Sequence, residues 1–116
     1  MKRRLLLATL LIWSTALAQT DEEIFKEVGI VCTGTLAMAA ELTDVKLSKM
    51  VMQSDAKWWR DLLVDVYGES DVDPQIADAM RSVKDSWNGN KISWDELLDI
   101  CQQCSEMKIQ LETTNE

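Results

Sequence analysis

After Gln19, apolar residues recur every three or four positions along most of the chain, the spacing that lines one face of an α-helix. Ile24, Val28, Cys32, Leu36 and Ala39 form the first such stripe. Thr20-Asp21-Glu22-Glu23 stands before it as a capping box, so the first helix is expected to begin near Thr20. A second stripe, Leu47, Met50, Val51, Trp58, Leu62 and Val66, predicts a helix whose core face these residues form. It ends at Gly68, expected to cap it in left-handed conformation. Its start is open between a tight turn near Thr43 and Asp44 and a later cap at Ser54. Residues 69–73 read as a polar loop, with Asp73 as the next cap and Pro74 at the first helical position, where a missing N–H is harmless. The third helix then runs through Ile76, Met80, Val83 and Trp87.

Asn88-Gly89-Asn90 ends that helix, and Ser93 with Glu96 forms a second capping box, spanned by Ile92 and Leu97 as a hydrophobic staple. A fourth helix is expected to reach about Leu111. No stretch alternates apolar and polar residues as a half-buried strand would. The expected fold is all-α: a small four-helix bundle, mainly antiparallel, stapled by one disulfide.

The N-terminus changes the setting of this domain. Lys2, Arg3 and Arg4 precede an apolar run from Leu5 to Trp13, and Ala16-Leu17-Ala18 supplies the small-x-small pattern of a signal-peptidase site. Residues 1–18 are therefore expected to be a signal peptide and residues 19–116 the helical domain, exported to the periplasm or secreted. The apolar run is shorter than the about 20 residues that a membrane span needs, and acids follow it at once, so an uncleaved anchor is disfavoured. No Cys stands at the cleavage point to carry a lipid.

Charge narrows the partners. The whole chain carries −8, and without residues 1–18 nine basic residues face twenty acidic ones, −11 on 98 residues. Nucleic acid and anionic membranes are poor partners for such a surface, because phosphate contacts need Lys and Arg. A basic protein partner fits it, as does solubility alone.

Several chemistries are excluded or weakened by what is present. The chain has no His, which removes Ser-His-Asp and Cys-His catalysis and imidazole metal sites. The four glycines are scattered, so no phosphate-cradling loop exists. Asn88 to Leu97 looks like the second half of an EF-hand loop. With Glu96 as the twelfth ligand the first is Asp85, but Trp87, Gly89 and Asn90 then fill the third, fifth and sixth positions, where oxygen ligands and a Gly are needed. The turn, cap and staple account for the same residues without calcium. Glu69, Asp71 and Asp73 could present carboxylates to a hard cation, though a solvated loop with a helix cap is the favoured reading of them. No catalytic residue, metal site or cofactor is expected.

Cys101-Gln102-Gln103-Cys104 resembles a redox C-x-x-C motif, but active pairs sit at a helix N-terminus, and this one lies about two turns inside a helix. Cβ atoms three apart on a helix are about 5 to 6 Å apart, too far for a relaxed bridge. A structural disulfide from Cys32 to the fourth helix is expected instead, in keeping with an oxidising compartment. If the first and fourth helices are antiparallel neighbours, Cys32 stands about 16 Å above Asp21, against about 15 Å for Cys101 and about 10 Å for Cys104 above Leu111. That comparison slightly prefers Cys101, with Cys104 as the alternative partner.

Trp58 and Trp59 are separated by about 100° on a helix, so both cannot face one core. Trp58 continues the predicted core stripe, which places Trp59 at the flank or surface. These features point to an exported binding protein rather than an enzyme: an inhibitor, immunity factor or regulator. Its contact surface would be Trp59, surrounded by Asp55, Asp61 and Asp65, against a basic protein partner. The competing readings are a thiol redox protein using Cys101 and Cys104, and an acid-stress chaperone.

Overall fold

A computed structural model of the chain describes residues 20–114. The expected signal peptide, residues 1–18, and its cleavage point before Gln19 lie outside the described residues. Four helices follow in order: α1 (Asp21–Leu42), α2 (Lys46–Tyr67), α3 (Glu69–Asn88) and α4 (Trp94–Thr114). Among the described residues there is no strand, and the all-α bundle expected from the sequence is the fold.

The second capping box forms in both directions, and the first in its cap half alone. The Thr20 hydroxyl accepts from the Glu23 N–H at 3.1 Å, and Ser93 and Glu96 exchange bonds in both directions, at 3.1 and 3.2 Å. Each removes an orphan donor from a first helical turn. The α1–α2 link is the tight turn at Thr43 and Asp44, and the Thr43 hydroxyl accepts from the Val45 N–H.

The third helix begins earlier than its sequence implies. Residues 69–73 are helical, and Pro74 is the sixth residue of α3 rather than its first. Gly68 alone makes the turn, at φ 92° and ψ 145°. This φ is positive as expected, but the backbone is extended rather than left-handed helical, a combination almost confined to Gly. Burial drives the extension. Val72 is completely buried, and each acid of the presumed loop has a basic partner on a neighbouring helix: Glu69 and Asp73 bind Arg60, and Asp71 binds Lys26. Pro74 leaves the Ser70 carbonyl without one helical bond, near a terminus where such a loss matters least.

Helix α1 is the centre of the molecule, packing on α2, α3 and α4. Gly29, Thr33, Gly34, Thr35, Ala39 and Ala40 are all buried on it. These small residues let neighbours come close. A Cβ placed on Gly34 would stand 2.6 Å from the Ala79 Cβ and 3.1 Å from the Met80 nitrogen, so the α1 and α3 backbones nearly touch there. Among the described residues, α3 and α4 do not pack backbone to backbone. Trp87 and Trp94 close the turn between them edge to face, with ring centroids 5.9 Å apart.

Cys32 on α1 is disulfide-bonded to Cys104 on α4, with Cα atoms 5.5 Å apart, and Cys101 is free and buried. The preference for Cys101 is therefore corrected. Its reason is the length of α4, which runs to Thr114 rather than Leu111. From that end Cys104 stands about 15 Å up and Cys101 about 20 Å, so the same comparison with Cys32 at about 16 Å selects Cys104.

Candidate functional site

The phase of α2 decides which of its residues can meet a partner. Its buried face is Met52, Asp55, Ala56, Trp59 and Leu63, a set spaced by three and four residues and turned toward α1 and α4. Trp59 is 1% exposed, and its indole N–H donates to the Cys104 carbonyl at 3.2 Å. The expected order of the two tryptophans is thus reversed. Trp59 is core and Trp58 is half-buried, its ring edge to face on Trp59 at 5.2 Å with the Lys108 ammonium 5.9 Å from its centroid.

Asp55 is also removed from the proposed surround of an exposed Trp59. It is 8% exposed, accepts from the Ser105 hydroxyl at 2.6 Å and pairs with Lys108 at 3.0 Å. A buried carboxylate needs such partners, and here they fasten α4 onto α2. Asp61 and Asp65 are exposed as expected, with Asp61 paired to Lys57 one turn earlier. The two do not gather around Trp59, which faces the opposite side of the helix.

What does reach solvent is the stripe predicted to be core. Leu47 is 72% exposed, Met50 58%, Val51 52% and Val66 53%. Leu47, Met50, Val51 and Ser54 occupy successive turns of the outer face, and Asp61 and Asp65 continue it toward Gly68. Scattered apolar residues on a surface are ordinary, but Leu47, Met50 and Val51 lie within one turn and a half of one another, and all three are more than half exposed. The sequence carried this signal. Helix two has apolar residues at helical spacing on two faces, and a helix of 22 residues in a chain this small can bury only one of them.

The cysteines do not form a redox pair. Cys104 is bonded across the core to Cys32, and burial, with the Asp55 carboxylate adding to it, pushes the Cys101 thiol up to about 11. Glu96, the twelfth position of the EF-hand-like register, is engaged in its capping box. Among the described residues no group of three Cys, Asp or Glu side chains is placed to hold a metal ion, and no helix is long and apolar enough to cross a membrane. A shallow polar groove lies on α3 between Asp78, Asp85, Ser86 and Lys91, open to solvent. Comparison with known protein families, curated proteins and solved structures finds no match.

Proposed function

We propose that the chain is the precursor of an exported, disulfide-stapled helical protein that acts by binding another protein whose contact surface is basic. The observation that carries this reading is the outer face of α2, where Leu47, Met50 and Val51 stand exposed on a rigid helix while the core is closed on its other side by Trp59 and Leu63. A presented apolar group on a stiff scaffold loses little freedom on association, which favours affinity. The strong negative charge adds attraction to a positive surface, speeding encounter.

Export is supported by the Lys2 to Ala18 pattern and by the disulfide, which fits an oxidising environment. The arrangement of the cysteines favours binding over thiol redox chemistry, since the only free thiol is buried and its protonated form is favoured. The test is capture: the domain of residues 19–116 is immobilised, exposed to envelope and secreted proteins, and the affinity of each retained protein is measured against salt. Saturable binding that weakens as salt rises supports the reading. The absence of any saturable partner, or an affinity indifferent to salt, contradicts it.

A further inference from the structure

We propose that the occupant of the outer face of α2 is an amphipathic helix of a basic partner, laid lengthwise along Leu47, Met50, Val51, Ser54, Asp61 and Asp65. This assignment rests on the binding function proposed above and names its surface and ligand. The geometry is that of a stripe rather than a patch. Apart from the adjacent Met50 and Val51, successive members are three to seven residues apart, and all share one side of a single helix, so from Leu47 to Asp65 the stripe is straight and about 27 Å long. A narrow straight ridge of this kind is matched by the ridges and grooves of a second helix.

The stripe is also graded in character. Its first turns are apolar, edged by the exposed Lys46 and Lys57, and its last turns are acidic. Asp65 is exposed and makes no ion pair among the described residues, and the Lys57–Asp61 pair is an exposed bridge of the kind that contributes little and is readily exchanged. A matching helix therefore carries an apolar face against Leu47, Met50 and Val51, and Lys or Arg against Asp61 and Asp65. The same charge argument selects among possible occupants. Two copies of a chain with twenty acids against twelve bases repel one another, and so do this chain and an anionic bilayer, whereas a basic helix is attracted.

The test uses the domain of residues 19–116 and two synthetic helical peptides, one patterned from Leu and Lys and one in which every Lys is Glu, with binding measured by titration calorimetry at low salt. The Leu/Lys peptide is expected to bind one to one and the Leu/Glu peptide not at all. Leu47→Ser with Met50→Ser, and separately Asp61→Asn with Asp65→Asn, are each expected to weaken the Leu/Lys peptide by about tenfold or more, as substitutions in a binding stripe do. Asp78→Asn with Asp85→Asn removes the same charge from α3 and is expected to change binding less than about threefold. All the altered residues are exposed, so the variants keep the fold. Equal weakening by the α3 pair, indifference to the Leu47 and Met50 changes, or equal binding of the Leu/Glu peptide would each overturn the assignment. So would self-association through this face in sedimentation, or preferential binding to anionic vesicles. Any of these results leaves the salt-dependent capture of a whole protein to stand or fall on its own measurement.

Discussion

The indole N–H of Trp59 donates to the main-chain carbonyl of Cys104, the residue whose sulfur is bonded to Cys32. One side chain of α2 thus reaches the point where α1 and α4 are covalently joined, and the three helices meet around it. Trp59→Ala is expected to cost about 3 to 5 kcal/mol of stability, the range for removing a large aromatic from a closed core. Urea unfolding measures this directly, and a variant as stable as the parent would show that Trp59 is not the centre of the core.

The two cysteines of helix α4 have unequal roles. Cys104→Ser opens a loop spanning 72 residues and is expected to remove about 4 kcal/mol, most of it through the unfolded chain. Cys101→Ala removes one buried sulfur and is expected to cost about 1 kcal/mol. Thiol labelling should find none reactive in the folded, oxidised domain at neutral pH and one after denaturation without reductant. Rapid labelling of native protein would mean that Cys101 is neither buried nor held in its protonated form.

Much of this fold is legible in the sequence where local chemistry acts alone. Thr20 with Glu23, and Ser93 with Glu96, mark helix starts because a cap is satisfied within four residues. Gly68 marks a turn because few other residues accept its backbone angles. The misread features depend on partners distant in sequence. Residues 69–73 are helical because Arg60 and Lys26 hold their acids and α1 buries Val72, none of which is visible locally. The phase of α2 is the more consequential case. Leu47, Met50, Val51 and Trp58 make as good a stripe as Met52, Ala56, Trp59 and Leu63, and apolarity alone ranks the first set higher. Packing decides otherwise, because Ala56 permits close approach and Trp59 finds an acceptor on α4. The adjacent tryptophans correctly implied that one of them lies off the core centre, and the same phase error assigned the wrong one. Asp61 and Asp65 are exposed, as the sequence implies, while the exposed apolar side chains on the same face, Leu47, Met50 and Val51, are ones the apolar pattern assigns to the core.

Gly34 makes a second test of the packing around α1. Replacing Gly by Ala within a helix ordinarily stabilises it by about 1 kcal/mol. At this position the added methyl meets Ala79 and the Met80 backbone, neither of which can swing aside, and overpacking of this kind costs about 1 to 3 kcal/mol. Gly34→Ala is therefore expected to lower the urea midpoint, and a raised midpoint would mean that α1 and α3 are farther apart than described.

The Arg60–Asp73 pair carries a pH signature. The side-chain hydrogen bond from Arg60 and its charge hold the Asp73 carboxyl below its ordinary range, against opposing desolvation. A carboxyl lowered in the folded state binds fewer protons there than in the unfolded chain. Its contribution is present above the unfolded carboxyl value of about 3.9 and is lost as pH falls through the lower folded value. Titration of Asp73 followed by NMR should give a lower midpoint in the parent than in Arg60→Gln, and equal midpoints would contradict the pairing.

The division of α2 into a structural face and a binding face is tested most directly by one affinity, that of a captured protein partner for the Leu47→Ser, Met50→Ser variant relative to the parent. Both side chains are largely exposed, so the two changes together should alter stability by no more than about 1 kcal/mol. The expected result is a fold-neutral variant that binds the partner about tenfold or more weakly. Undiminished affinity in the folded variant would contradict it and place the binding surface elsewhere on the molecule.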